Sequence, residues 1–311
     1  MLGISTCWWY NKVDRADTIV DDVHQLGLDG VELEYRMTRR MYLDMKPRLK
    51  SGLSVYSIHN YFPIPEGHGP TEGSGNLFLL SSTDPDERSN AVKYTIRTIE
   101  HAGDLGALAV VLHLGSVDMP NPAHAFSRLH ATGRVGSDEA EVFLNEQRHI
   151  RKATRDKHLD AVMIGLEKLN KVAESKGVFL GIENRYHFHE VPDFEEIGLI
   201  LNRFEGGNVG YWHDIGHARV QENLGLLRRN QLLDAYSESL VGVHIHDVRG
   251  LNDHLAPGQG DIDWQEIQPY LNASLPKILE INGNKASREE LVEGIRIIRT
   301  HFFYKLSQKQ I

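Results

Sequence analysis

Apolar residues fall along this chain in two alternating rhythms. Runs such as Ala109-Val110-Val111-Leu112 and Val178-Phe179-Leu180-Gly181-Ile182 are short and nearly continuous, the pattern of strands buried on both faces. Between such runs lie longer stretches with apolar positions every three or four residues, the pattern of amphipathic helices. Strands are predicted at Leu2–Thr6, Gly30–Glu34, Ser54–His59, Leu108–His113, Val178–Glu183, Asn208–Asp214, Val241–His246 and Lys277–Ile281. Helices are predicted at Val13–Leu26, Arg39–Lys50, Ser89–Leu105, Asp160–Lys176, Asp193–Arg203, Leu224–Ser239, Trp264–Leu271 and Ser287–Phe302. Gly27, Gly52, Gly106 and Gly177 follow four of these helices, as helix C-termini favour.

Strict alternation of strand and helix implies a parallel sheet, and eight repeats imply that it closes on itself. The expected fold is α/β, a (β/α)8 TIM barrel forming one domain over residues 1–311. An open doubly wound sheet fits less well, because no GxGxxG phosphate loop follows the first strand. Two connections are long: about 60–88 after the third strand and about 115–159 after the fourth. Loops of that length carry function or contain further helices, and 139–154 is a candidate helix. The second connection also carries Arg148, Arg151, Lys152, Arg155 and Lys157. These basic residues read as a solvated face or, alternatively, as a site for an anionic substrate group.

The polar residues add chemistry to this frame. His59, His113, Glu183, Asp214, His244 and Glu280 all stand at or near the C-terminal ends of predicted strands. In a barrel those ends converge on one mouth, where active sites form. Any one of them alone reads as a hydrogen-bonded structural residue or a helix cap. Together they would crowd carboxylates into a partly desolvated space, which demands a counter-ion; a divalent metal meets that demand. Asp214-Ile215-Gly216-His217 adds His217 just past a strand. In Val243-His244-Ile245-His246-Asp247, His244 is the expected ligand and His246 an outer or structural residue. In the glycine-bracketed loop from His254 to Trp264, His254 can face the mouth and Asp263 is a candidate N-cap. Trp8 and Trp9 follow the first strand; packing beneath a loop is the leading reading, and Trp8 is also a candidate to stack on a sugar face.

Composition changes the picture only at its edges. The chain has 43 acidic and 34 basic residues, a formal charge of −9, which disfavours a broad nucleic-acid footprint. One cysteine, Cys7, excludes an intrachain disulfide and a thiolate zinc cluster. No run approaches the roughly 18 apolar residues of a membrane span. The first residues show no signal-peptide pattern, so the expected setting is the cytoplasm.

Several stretches resemble the xylose isomerase-like barrel superfamily, which holds sugar isomerases, epimerases and the endonuclease IV group. They are Leu180-Gly181-Ile182-Glu183-Asn184, His213-Asp214-Ile215-Gly216-His217, Val243-His244-Ile245-His246-Asp247, His254 to Trp264, and Ile278-Leu279-Glu280-Ile281, with Ile58-His59-Asn60 and Leu112-His113-Leu114-Gly115 in the first half. In the ketose epimerase branch the resemblance implies one Mn²⁺-like ion on Glu183, Asp214, His244 and Glu280. Glu183 and Glu280 would act as base and acid through an enediolate, and His217 and His254 would bind substrate oxygens. In the endonuclease IV branch it implies two or three zinc ions, with His59, His113, His217 and His254 added as ligands. The ninth ligand of that pattern is an Asp two residues before His254; this chain has Asn252 there and Asp253 one step along, which puts a complete third zinc site in doubt.

The leading expectation is therefore a divalent-metal-dependent isomerase or epimerase of a small sugar, sugar phosphate or polyol. The alternative is a multinuclear zinc phosphodiesterase acting on an abasic site or a small nucleotide-like cofactor. A homo-oligomer is what the superfamily implies.

Overall fold

The computed structural model describes residues 1–13 and 15–303. Its centre is a closed barrel of eight parallel strands: β1 Leu2–Ser5, β2 Gly30–Leu33, β3 Ser54–His59, β4 Ala109–Leu112, β5 Phe179–Glu183, β6 Val209–Asp214, β7 Leu240–Ile245 and β8 Lys277–Leu279. Neighbours in sequence are neighbours in space, and β1 closes the ring against β8 through Leu2–Lys277, Gly3–Ile278 and Ile4–Leu279. Parallel neighbours require a crossover, which the helices supply on the outside.

The helices are α1 Thr18–Gln25, α2 Arg39–Gly52, α3 Pro85–Leu105, α4 Ala123–Ala131, α5 Asp138–Lys176, α6 Phe194–Arg203, α7 Ile215–Asn223, α8 Gln231–Tyr236, α9 Trp264–Ile267 and α10 Arg288–Phe302. Local chemistry starts several of them. Ser137 caps α5 through the Ala140 N–H at 3.2 Å. Asp193 with Glu196, and Ser287 with Glu290, form reciprocal capping boxes on α6 and α10. Asp263 caps α9 through the Gln265 N–H at 2.9 Å, as its position suggested.

Four expectations shift. The candidate helix at 139–154 and the helix expected at Asp160–Lys176 are one 39-residue helix, α5. The second long connection therefore ends at Ser137 and already contains α4. The stretch Leu224–Ser239 is helical only from Gln231 on, as Gln231–Tyr236 and a 3-10 turn at Ser237–Ser239; a separate helix, α7, starts directly after β6 because Asp214 caps it and ends at Asn223. The first helix is Thr18–Gln25 rather than Val13–Leu26; Asp14, within that expected span, lies outside the described residues. Two short antiparallel pairs rim the mouth, Gly115–Ser116 with Glu190–Val191, and Asp247–Arg249 with Asn252–Leu255.

The barrel interior is stacked in layers. Ala109, Val111, Tyr56, Trp212 and Ile278 form a buried apolar cluster. Trp212 is the largest wholly buried side chain, and a Cβ on Gly242 would come within 2.0 Å of its ring, so the neighbouring strand needs glycine there. The register shifts between Val31–Val55 and Glu32–Ser57, and again between Tyr211–Leu240 and Trp212–Gly242. Each shift inserts one residue, Tyr56 or Val241, and reverses the facing of everything beyond it. A larger core lies between the strands and the helix shell, including Ile4, Val110, Leu180, Ile182, Leu166 and Ile298.

Candidate functional site

Directly above the Trp212 layer the inward positions become ionisable. His59 ends β3, His113 follows β4, Glu183 ends β5, Asp214 ends β6, His244 lies in β7 and Glu280 follows β8. The donor atoms of Glu183, Asp214, His244 and Glu280 all fall within 4.8 Å of one another. All four are buried, with Asp214 and His244 at 0 % exposure. His244 Nδ1 is the common contact, 2.9 Å from Glu183 Oε1, 3.2 Å from Glu280 Oε2 and 3.6 Å from Asp214 Oδ2. Its other nitrogen, Nε2, lies 3.0 Å from Glu32 Oε2, which Ser57 Oγ holds at 2.8 Å. A carboxylate behind a histidine in this way fixes the ring and aims the opposite nitrogen at the centre.

A second group adjoins the first through Glu183. His59, His113 and Glu183 bring donor atoms within the same 4.8 Å limit. His113 Nε2 stands 2.8 Å from Glu183 Oε2, and His59 Nε2 stands 4.0 Å from it. His217, His246 and His254 form a third group. Asp253 joins this one, with Oδ2 3.6 Å from His254 Nε2 and 3.9 Å from His217 Nε2. Asn252, at the position where the resemblance implies an Asp, is exposed, whereas its neighbour Asp253 turns inward.

The donor set fits divalent metal on an observation independent of likeness. His59, His217 and His254 each place Nδ1 near a main-chain carbonyl: that of Asn60 at 3.0 Å, Asn184 at 3.2 Å and Glu280 at 3.0 Å. An Nδ1–H donated to a carbonyl leaves the Nε2 lone pair directed at the cluster, which is the tautomer a metal ligand needs. His246 differs. Its Nδ1 accepts the His254 N–H at 2.9 Å and its Nε2 is 3.0 Å from Asp214 Oδ1, so both nitrogens are engaged. Gly216 makes room for that ring, since a Cβ there would lie 1.9 Å from it. His254 is held at φ 52°, an uncommon left-handed conformation for a non-glycine residue that costs about 1–3 kcal/mol and concentrates at functional sites.

Charge within the mouth is balanced by protons and by one guanidinium. Burial pushes Glu280 up, and Glu183, Glu32 and Asp214 push it further, to about 8 against the pull of His244. Burial also opposes ionisation of Glu183, but His113 and Arg185 outweigh it and hold that carboxyl well below its ordinary range. Burial lowers His244, yet Glu280 and Glu32 raise it well above an ordinary histidine. His113 and His254 are each lowered to about 3, by burial first and then by Arg185 or His246 respectively. Burial lowers His246, but Asp214 beside it raises it to about 9. The site thus keeps His113 and His254 neutral and holds protons next to its carboxylates, where a cation would otherwise supply positive charge.

Three participants were not singled out in the sequence. Glu32 could have been found as a charge inside the apolar run Val31-Glu32-Leu33. Arg185 is buried, bonds Glu183 through Nη1 and reaches Glu190 Oε1 through Nη2 at 3.1 Å. Glu190 also takes the His187 N–H at 2.9 Å. Nothing in the local pattern Asn184-Arg185-Tyr186 marks Arg185 for the mouth. The placement of Trp8 corrects the expectation of a sugar-stacking face. Trp8 is 3 % exposed within the core, with Lys12 Nζ 3.5 Å from its ring centre, because the chain turns inward as a 3-10 helix at Thr6–Trp9.

The sequence model of the xylose isomerase-like TIM barrel family matches residues 20–301. The chain belongs to that family. Among curated proteins none matches the sequence. Solved structures of similar fold include a D-tagatose 3-epimerase-like protein, 18 % identical, with TM-score 0.68 over 100 % of this chain and 99 % of that one. The 3-keto-D-glucoside 4-epimerase YcjR from E. coli is 14 % identical, with TM-score 0.67 over 96 % and 98 %. The TTHB071 protein from Thermus thermophilus, in a crystal soaked with ZnCl2, is 19 % identical, with TM-score 0.59 over 96 % of each chain. At these identities the structures share the fold with this xylose isomerase-like barrel. Among the described residues no helix is long and apolar enough to cross a membrane.

Proposed function

We propose that this protein is a divalent-metal-dependent isomerase or epimerase of a small sugar-like polyol. The observation that carries this reading is the convergence of Glu183, Asp214, His244 and Glu280 on one buried centre, with the two glutamates approaching the same His244 nitrogen from β5 and β8. A metal held by those four side chains would polarise a substrate carbonyl and the neighbouring hydroxyl, lowering the cost of an enediolate. Glu183 would take a proton from the carbon beside the carbonyl, and Glu280 would return one to the substrate from another strand. His217 and His254 would bind substrate oxygens. The seclusion of the four residues suits a small molecule better than a duplex. Fold likeness to sugar epimerases supports the reading by analogy.

A second reading has its own observation. The His59–His113–Glu183 and His217–His246–His254 groups flank the tetrad, and Glu183 belongs to two groups at once. A shared carboxylate of this kind suits a multinuclear zinc centre that activates water against a phosphoester.

Metal content separates the two. One Mn²⁺-like ion per chain, with conversion of one ketose in a panel of free and phosphorylated sugars, supports isomerisation. Two or three zinc ions, with cleavage of an abasic duplex or a nucleotide-like ester and no sugar conversion, removes it.

A further inference from the structure

Arg148, Arg151, Lys152 and Arg155 stand at i, i+3, i+4 and i+7 on α5 and so share one helical face. Arg148 and Lys152 are exposed, Arg155 is half-buried and Arg151 is buried, and all four line one cavity of about 480 Å³. Lining residues between 187 and 195, which follow β5, and between 221 and 231, which follow β6, form its other walls. Both walls belong to connections that leave the C-terminal ends of strands, so the cavity lies on the same side of the barrel as the tetrad. Lys157, the fifth basic residue of the segment, turns elsewhere and pairs with Asp118 at 2.8 Å.

The four cations are not equivalent. Arg151 is buried and fully engaged, giving Nε to the Phe188 carbonyl at 3.1 Å, Nη1 to Glu196 at 2.6 Å, and Nη2 to the Glu190 carbonyl at 2.7 Å. It ties α5 to the segment that follows β5. Arg155 is shared with Asp156 at 3.2 Å and Glu195 at 3.3 Å. Arg148 meets only the Asn145 side-chain oxygen at 3.5 Å, and among the described residues neither Arg148 nor Lys152 forms an ion pair. Glu190, Asp193 and Glu195 also line the cavity, but Asp193 meets Arg151 at 3.3 Å, Glu195 meets Arg155 and Glu190 meets Arg185, which leaves Arg148 and Lys152 as the two cations without a paired carboxylate among the described residues. Gln221 and Gln231 add amide donors, and Phe188 and Leu226 add apolar wall.

This lining matches a phosphate ester, which carries about two negative charges and three strong acceptor oxygens near neutral pH. Arginine offers such a group a planar fork and lysine a mobile point charge. Glu190 connects the cavity to the chemistry. It lines the cavity, its carbonyl accepts from Arg151, and its carboxylate accepts from Arg185, whose guanidinium also bonds Glu183. We propose that the cavity binds the phosphorylated part of a substrate whose reacting end lies at the tetrad. This rests on the reading of the tetrad as the reaction centre.

Calorimetry on the full chain tests it, with metal removed by chelator so that the tetrad's own affinity for phosphate is absent. The probes are inorganic phosphate, D-fructose 6-phosphate and D-fructose. Both phosphate-bearing probes should bind and D-fructose should not compete. The R148E/K152E variant should weaken binding at least about tenfold, while K157E leaves it unchanged. Equal affinity in wild type and R148E/K152E overturns the proposal, as does no phosphate binding at millimolar concentration. Phosphate binding that depends on Arg148 and Lys152 upholds the cavity even if the sugar panel yields no turnover, in which case the isomerase reading fails alone. Turnover of unphosphorylated ketoses with no gain from phosphorylation and no phosphate affinity removes the cavity and leaves the isomerase reading standing.

Discussion

The barrel interior has two storeys of opposite chemistry built from the same strands. On β6, Trp212 faces the lower layer and Asp214 the upper. Gly242 and His244 on β7 repeat the step, as do Val111 and His113 across the end of β4, and Ile278 and Glu280 across the end of β8. Inward-facing residues recur every second position, so a step of two residues moves from hydrocarbon to carboxylate. The lower storey stabilises the fold by excluding water and filling space. The upper storey opposes folding unless its charges are matched, because buried carboxylates are costly without partners. The lower storey, a plug centred on Trp212, supports the strand ends that carry the ligand atoms, and such support keeps a constellation of side chains in place.

The most direct challenge to this contrast is to remove the plug. Trp212→Ala should cost about 3–5 kcal/mol in denaturant unfolding, since a wholly buried indole leaves a cavity that the layer cannot collapse into. A loss under about 1 kcal/mol would show that the lower storey is not the support described. Glu183→Gln should do the reverse: the far-ultraviolet spectrum and folding remain, while turnover falls about 10²–10⁴-fold, because the proton-accepting carboxylate and a metal ligand are both lost. Near wild-type rates in that variant would remove Glu183 from the chemistry.

Acid distinguishes the rim from the plug. Burial raises Glu190, but Arg185 and His113 outweigh it and bring its carboxyl from 4.5 to about 2. A depressed carboxyl stabilises the fold above its unfolded value, and that contribution is lost as pH falls from about 4.5 toward 2. The shift corresponds to about 3 kcal/mol. Unfolding free energies between those pH values should therefore fall less steeply in Glu190→Gln than in wild type; parallel curves would count against the Arg185 pair. The smallest effect is expected at Glu32, which touches His244 from behind. Glu32→Gln should weaken Mn²⁺ or Zn²⁺ binding about 10–100-fold in calorimetry with the fold intact. Unchanged affinity would mean that His244 is oriented by other contacts.

Much of this arrangement was legible before any coordinates. The eight strands, the barrel and the positions of His59, His113, Glu183, Asp214, His244 and Glu280 at strand ends follow from local periodicity, because hydrophobic spacing records which side of an element meets the core. The Asp214–His217 step was visible, but its effect on the helix was not. Asp214 caps α7 through the His217 N–H at 2.6 Å, which starts a separate helix at Ile215, ahead of the one the apolar pattern suggested from Leu224. Trp8 was ambiguous because a strand-end aromatic faces either the mouth or the shell, and only the 3-10 turn selects the shell. Arg185 carried no signal, since its role depends on Glu183 and Glu190 arriving from either side of it.

Residues near one another along the chain were enough to specify the strand–helix rhythm, the eightfold repeat and the chemistry available at each strand end. Other features are encoded in no local pattern and emerge only from folding. The one-residue bulges at Tyr56 and Val241 set which side chains of β3 and β7 face inward. The hairpin that turns Asp253 rather than Asn252 toward His217 and His254 completes the third group. The face shared by Arg148 and Lys152 finds its cavity only when the loops after β5 and β6 fold across it. The bulges and the cavity depend on segments far apart in the chain, and the local hairpin meets His217 only once the strands carrying them are side by side; that register is fixed only when the barrel closes.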